Sequence, residues 1–305
     1  EKNTGAANGP RNRGIEESSG DYIMFLDPDD RYTPDCCERL YNEIKKHDAE
    51  IAFGRFRRVF TYGEKVQKSY SPYLDDLEKN YPDETFEDAN PLNVSDFIWN
   101  NILEKILYGK DIEKEYKRDK PIDVIYIDNI EEEPDILKIP PSVWTKLYKR
   151  ELIIENNIRF PPYVCGDDMS FALETFLKAK GIVLLNNFIC YDYYIRDLPD
   201  DKSITNTVNV RFLGDLMDAY TYCRNLTENF SPDIQTVSVT PHLLYWMNTW
   251  KNSPFTKEEN KLLLEKVNNL KKIHKSSMKT KLILSAMTKM LETSINTKKE
   301  WKNEI

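Results

Sequence analysis

The chain has 305 residues, 31% of them charged and 12% aromatic, with a formal net charge of -8. This is a globular profile, long enough for one large domain with an appendage or for two domains. The acidic balance argues against general nucleic-acid binding, which needs a basic surface, and no stretch approaches the ~18 uninterrupted apolar residues of a membrane-spanning helix. The charge is uneven: residues 261–305 hold 11 Lys and 4 Glu, a net +7 that leaves -15 on the remainder. Such asymmetry points either to a helical cap whose lysines face water, the simpler reading, or to a basic C-terminal segment with its own partner, such as an anionic membrane surface. Five cysteines (Cys36, Cys37, Cys165, Cys190, Cys223) form no CxxC pair, which fits free thiols in a reducing compartment. The three histidines, His47, His242 and His274, are too dispersed for a His-based zinc site.

In chain order, Asn3 to Gly14 reads as a Gly/Asn-rich loop running into a short helix, with Pro10 in the first turn and Gly14 or Gly20 ending it. A cation here, Arg11, could hold a phosphate or a carboxylate. Tyr22 to Leu26 is a short apolar run suited to a strand at the centre of a covered sheet. It ends in Asp27-Pro28-Asp29-Asp30. Pro28 lacks an amide donor and stops the strand, and three carboxylates in four positions repel one another unless a cation neutralises them. Mg²⁺ or Mn²⁺ takes oxygen ligands of this kind, and the carboxyl edge of an open α/β sheet is where ligands bind. The residues alone leave two readings open: a metal site serving a phosphate-bearing substrate, or an acidic turn before a helix.

Thr33-Pro34-Asp35 predicts a helix start, with Cys37, Leu40, Tyr41 and Ile44 as its buried stripe. Ala49 to Phe60 predicts a strand. Residues 61–140 read as an insertion, with a helix capped by Ser95, a strand within Pro121–Ile130 and a solvated acid run at Glu131-Glu132-Glu133. A helix over Arg150–Asn156 follows, then Gly166-Asp167-Asp168 opening a helix over Met169–Lys180, where the helix dipole stabilises the charged acids. Ile182 to Ile195 predicts a strand and Arg196 to Thr205 a polar loop. From Val208 the periodicity is helical, in four segments around Phe212–Met217, Leu243–Trp250, Leu262–Leu270 and Leu282–Leu291.

Three pieces, NTGAANGPRNRGI, GDYIMFLDPDDRYTPD and WTKLYKRELIIENNIRFPPYVCGDDMSF, together resemble the inverting GT-A glycosyltransferases of family 2, bacterial enzymes that build cell-surface polysaccharides from nucleotide sugars. The resemblance covers about Asn3 to Thr205 and implies an α/β fold: a GT-A, Rossmann-like mixed sheet over residues 1–205, followed by an α-helical region over 206–305. It implies that Asp27 and Asp29 form the DxD motif that holds Mn²⁺ or Mg²⁺ and the donor's ribose and diphosphate, with Asp30 in support. Asp168 matches the catalytic base, and Asp167 stands where Glu is usual, so the base lies between the two. Arg11 and Asn12 match the element beside the donor. Lys146 and Phe160 match the acceptor-side wall, and the 196–205 loop matches the segment that closes over the site. The implied partners are a nucleotide-sugar donor, a UDP-sugar first, and a saccharide or polyprenyl-linked acceptor. The implied location is the cytoplasm, peripheral to the inner face of the membrane through the basic C-terminal helices. Family members begin with a strand and an acidic turn that hold the nucleoside base, so the resemblance also implies a catalytic domain truncated at its N-terminal side.

Two other readings fit part of the pattern. A haloacid-dehalogenase-type phosphatase would use Asp27 as nucleophile, Asp29 as acid and Gly166-Asp167-Asp168 as a downstream metal motif. Against it, Arg31 stands where that family has Thr or Val, and RNRGI goes unexplained. The other is a truncated fold kept as a non-catalytic binding module.

Overall fold

The computed structural model describes residues 6–60, 85–89, 123–138, 141–195, 208–272 and 278–296. Among the described residues a mixed sheet of seven strands is built on two long parallel neighbours, β3 (Ile51–Phe60), which starts two residues later than expected, and β7 (Ile182–Ile195), whose bounds match the sequence reading. On the outer side of β3, β6 (Lys146–Lys149) and β4 (Thr85–Ala89) pair antiparallel to its two halves, and β1 (Tyr22–Met24) pairs with β6. On the outer side of β7, β5 (Val124–Ile127) and β2 (Arg31–Tyr32) pair antiparallel to its two halves.

The chemistry of each strand explains its place. Ile51, Ala52 and Phe53 are all fully buried, as a strand covered on both faces requires. At Gly54 the register with β7 shifts, and a Cβ there would lie 2.7 Å from the Phe188 carbonyl oxygen, so only glycine lets the two backbones approach. The expectation that Tyr22–Leu26 occupies the sheet centre is not met. Among the described residues β1 pairs only with β6, and Ile23 and Phe25 are buried while Tyr22 and Met24 are half-buried. That alternation belongs to a strand covered mainly on one face.

Among the described residues four α-helices precede residue 182: α1 (Asn8–Glu17), α2 (Cys36–Lys46), α3 (Arg150–Glu155) and α4 (Asp167–Lys178). In α1 Pro10 sits in the first turn as expected, but Gly14 lies inside the helix, which ends at Glu17 with the Ser18 N–H bonded to the Gly14 carbonyl. In α2 the buried stripe is Cys36, Leu40 and Ile44, while Cys37 and Tyr41 are exposed. The i, i+4, i+8 spacing from Cys36 holds one face, one position before the predicted start. The acids Glu131, Glu132 and Glu133 are exposed, as predicted. The helix expected after Ser95 and the 196–205 loop lie outside the described residues.

Beyond residue 208 the described chain is helical: α5 (Val210–Leu226), α6 (Pro232–Val237), α7 (Thr240–Lys251), α8 (Lys257–Lys272) and α9 (Met278–Asn296). Only the short α6 escapes the sequence reading, where Ser231 caps it and Pro232 opens it. The buried side chains form one continuous core from the sheet through α5 to α9. Leu216 and Ala219 of α5 press against Gly166 at the head of α4, which is how the helical region bears on the site.

Candidate active site

Three segments distant in sequence supply the site. The head of α1 brings Arg11, the turn after β1 brings Asp27 to Asp30, and the head of α4 brings Asp167 and Asp168. The Arg11 guanidinium joins them: Nη2 donates to Asp27 Oδ1 at 2.8 Å, Nη1 donates to Asp168 Oδ1, and Nη1 lies 3.6 Å from Asp167 Oδ2. The arginine is almost enclosed, with 12% of its side chain exposed, while Asp27 and Asp168 keep 29% and 28%. Two partly exposed carboxylates thus flank one nearly enclosed cation.

An aromatic floor holds this cation. Arg11 lies 5.3 Å from the Phe160 ring centroid, a cation–π distance. Phe160 stacks on Phe171 of α4 at 4.0 Å, and Phe25 meets both rings edge-on at 5.2 and 5.6 Å. Each ring adjoins a charged segment in sequence: Phe25 stands two residues before Asp27, and Phe171 one turn after Asp167. Asn12 fixes the third ring. Its Nδ2 donates to the Phe160 carbonyl at 2.8 Å and its Oδ1 accepts from the Phe160 N–H at 2.9 Å. Both ends of the carboxamide are engaged, so Asn12 positions Phe160 and through it Arg11. Asn8 adds a bond to the Tyr163 carbonyl at 2.7 Å, docking α1 on the loop before α4.

The head of α4 is set by Gly166, whose φ of 90° is left-handed and whose added Cβ would lie 2.5 Å from Ala219 Cβ. Asp215 of α5 accepts from the Val164 N–H at 2.8 Å and holds the loop from the other side. Burial pushes the Asp168 carboxyl up to about 7; Arg11 opposes the shift, and the charges of Asp167 and Asp27 add to it. Burial also raises Asp167, against Arg11. A carboxylate poised near neutrality and open to the cleft can accept a proton.

The acidic turn hangs from β7. Asp30 Oδ2 accepts from the Tyr191 hydroxyl at 2.9 Å and Oδ1 from the Tyr194 N–H at 2.8 Å, and the Asp27 N–H donates to the Tyr191 oxygen at 3.3 Å. Burial lifts Asp30 to about 6, the two hydrogen bonds opposing. Asp29 at the tip is exposed. Just beyond, buried Asp192 accepts from both Arg31 Nε at 2.9 Å and Arg57 Nε at 2.5 Å, pinning β2 and β3 to β7. Among the described residues no cluster of three His, Cys, Asp or Glu side chains could hold a metal ion by itself. The donor set still suits a hard cation: Asp29 is exposed, Asp27 has one oxygen outside the Arg11 bond, and Mg²⁺ commonly takes one or two carboxylates with the rest from substrate phosphates and water.

Lys146 stands apart from the cleft. It is buried, donates to the Ser142 carbonyl, lies 5.2 Å from the Phe53 ring and 5.7 Å from Phe176, and burial lowers it to about 7. The structure therefore brings Arg11, Asp27, Asp167 and Asp168 into direct contact, with Asp29 on the adjoining turn, and gives Asn12 and Lys146 to the supporting layer. Phe25, Phe171 and Tyr191 were not singled out from the sequence. Each reads there as ordinary core, and only their alternation with the charged residues hinted otherwise.

The chain matches the family model described as glycosyl transferase family 2 over residues 1–103. It is 27% identical over 188 residues to the cholesterol galactosyltransferase of Borreliella burgdorferi, covering 62% of this chain and 41% of that protein. It is 26% identical over 193 residues to the poly(ribitol-phosphate) beta-glucosyltransferase of Bacillus spizizenii, covering 63% and 21%. The matches thus span less than half the length of these curated relatives. In fold the chain is similar to the crystal structure of Staphylococcus aureus TarS 1–349 in complex with UDP-GlcNAc, with a TM-score of 0.58, 15% identity, and coverage of 96% of this chain and 73% of that one. This likeness bears out the expected GT-A mixed sheet with a helical C-terminal region, and the family model's match takes in Arg11 and the acid cluster Asp27 to Asp30.

Proposed function

We propose that the chain is a glycosyltransferase of family 2, whose model it matches over residues 1–103, and that it transfers a sugar, with inversion, from a UDP-sugar to a saccharide or polyprenyl-linked acceptor in cell-surface polysaccharide synthesis. The observation that carries this reading is the Arg11 guanidinium bonded at once to Asp27 and to Asp168. One cation thus joins Asp27, which we read as the diphosphate-side acid, to Asp168, which we read as the base. Uridine as the nucleotide draws support from the UDP-GlcNAc held by TarS.

Asp168 acts as the base. It takes the acceptor hydroxyl's proton on a carboxylate oxygen while that hydroxyl attacks the anomeric carbon from the face opposite the leaving diphosphate. A single displacement of this kind inverts the centre and needs no covalent nucleophile. Asp168 is the better candidate of the pair because Asp167 is the more enclosed, at 11% side-chain exposure against 28%. Arg11 holds Asp168 in place before the donor arrives and offers a planar guanidinium to the donor's phosphate oxygens. Asp27 and Asp29 are the residues that would hold Mn²⁺ or Mg²⁺, which when bound offsets charge on the leaving diphosphate. Asn12 and Phe160 keep Arg11 in register, and Lys146 stiffens the wall behind α4.

No described helix is long and apolar enough to cross a membrane. We read the basic C-terminal helices as the surface that holds the protein peripherally at the cytoplasmic face of the membrane. The test of the catalytic reading is nucleotide release from a panel of UDP-sugars with Mn²⁺, comparing the full chain with Asp29→Asn and Asp168→Asn. Both variants lose turnover; equal turnover in all three removes the assignment.

A further inference from the structure

We propose that Tyr191 is a positioning residue for donor binding: its hydroxyl fastens both ends of the Asp27–Asp30 turn to β7 and so fixes the presentation of Asp27 and Asp29. This rests on the reading of those two carboxylates as the diphosphate and metal side of the site.

One oxygen makes both attachments. It accepts from the Asp27 N–H at 3.3 Å and donates to Asp30 Oδ2 at 2.9 Å. The turn closes on itself through the Asp30 N–H to the Asp27 carbonyl at 3.1 Å, and Tyr194 N–H holds the second Asp30 oxygen. Asp29, between the anchored ends, has no hydrogen bond or ion pair among the described residues and is exposed. Its carboxylate is therefore placed by the turn alone. The turn in turn depends on a phenol that cannot move: the Tyr191 ring is fully buried, stacked on Trp144 at 4.3 Å and edge-on to Tyr32 at 5.6 Å. Tyr32 reaches past it to donate to the Phe25 carbonyl at 2.6 Å, tying the residues before the turn to the same aromatic layer.

The ring and the hydroxyl have separable duties. Phenylalanine would keep the stacking and edge contacts, whereas only the hydroxyl serves the turn. A bond to an ionised carboxylate is among the stronger ones, and its loss leaves the Asp27 N–H and one Asp30 oxygen without their buried partner.

Calorimetry on the full chain reads the proposal, titrating UDP with and without Mn²⁺ into wild type, Tyr191→Phe, Asp30→Asn and the double variant. Tyr191→Phe weakens UDP binding in the presence of Mn²⁺ about tenfold, leaves the much weaker metal-free binding within about twofold, and melts within a few degrees of wild type. Asp30→Asn added to Tyr191→Phe costs little more, because both act through one bond. Unchanged Mn²⁺-dependent binding in Tyr191→Phe, with wild type binding normally, overturns the positioning role and leaves the donor-site reading standing. An equal loss with and without metal, accompanied by a lower melting temperature, also overturns it, as a packing effect. Wild-type protein that shows no Mn²⁺-dependent UDP binding overturns the donor-site reading and this role together.

Discussion

Asp27 and Asp168 accept hydrogen bonds from the two terminal nitrogens of one guanidinium, that of Arg11. One acid ends a strand and the other opens a helix, and they come from opposite ends of the catalytic region. Without a shared cation, like charges this close would disfavour each other's ionised form. Arg11 offsets that repulsion, and the aromatic floor beneath it makes the pairing worth more than it would be in water.

Replacing Arg11 with alanine therefore strands three carboxylates against one another. Thermal or urea unfolding at pH 8 should show a loss of about 2–3 kcal/mol, short of the roughly 3–5 kcal/mol for breaking a fully buried pair because Asp27 and Asp168 keep contact with water. Losing the cation removes the charge that opposes the upward shift of Asp167 and Asp168, so these two acids protonate on the way down in pH. The deficit should shrink towards pH 5; a deficit that grows instead would contradict the pairing.

Asp168→Asn separates activity from stability. The folded Asp168 titrates at about 7, above the ~3.9 of an unfolded aspartate. A carboxyl raised in this direction contributes stability that is fully present below about pH 4 and lost as pH rises through 7. The asparagine variant should thus melt no lower than wild type at pH 8, with any advantage fading towards pH 4, while turnover drops by about 10³. Wild-type kcat/KM should climb through pH ~7, since the base works only when deprotonated.

Asp29→Asn tests the cation. Asp29 is exposed and makes no hydrogen bond or ion pair among the described residues, so the substitution should leave the melting curve within about 0.5 kcal/mol of wild type. It should weaken Mn²⁺-dependent UDP binding at least about tenfold by removing one of the two carboxylates proposed to hold the metal. Chelation of wild type by EDTA should reproduce the loss and added Mn²⁺ should reverse it.

The C-terminal helices make a separate prediction. Between Lys266 and Leu291 the sequence carries seven lysines and no acid, while α8 and α9 expose Leu262, Met278 and Leu282. Co-flotation with vesicles should increase when anionic lipid replaces neutral lipid, fall at 0.5 M salt compared with low salt as charges are screened, and weaken by about 1 kcal/mol for each lysine reversed. Binding that ignores lipid charge would remove membrane docking by these helices.

Much of this architecture was readable in advance, for identifiable reasons. β7 and the helices α4, α5, α7, α8 and α9 follow from apolar periodicity over long windows, where pattern outweighs local propensity. The acids were legible because Asp27, Asp29, Asp167 and Asp168 interrupt apolar runs at element ends. What the sequence hides is partnership. Asn12 looks like a ligand-facing amide beside Arg11, yet the Phe160 backbone takes both of its ends. Cys37 and Cys36 differ by one residue, and only packing against the sheet selects Cys36 for the core. Tyr191 reads as one more aromatic in a buried strand, since a hydroxyl's acceptor is set by the turn that crosses above it.

Gly166 gives the sharpest test of how the fold holds the base. Its φ of 90° is left-handed, and a Cβ would stand 2.5 Å from Ala219 Cβ on α5. An alanine there meets about 1–2 kcal/mol of backbone strain and about 1–3 kcal/mol of overpacking, for a loss of about 2–5 kcal/mol in unfolding. The strain can be relieved only by moving the head of α4 away from α5, which displaces Asp168 from Arg11. Turnover should therefore fall by more than tenfold even well below the melting temperature, with UDP binding affected far less. Pairing the change with Ala219→Gly removes the facing methyl and should recover stability by about 1 kcal/mol, but not the part owed to φ. If Gly166→Ala folds and turns over like wild type, the left-handed glycine is not what sets the position of the base.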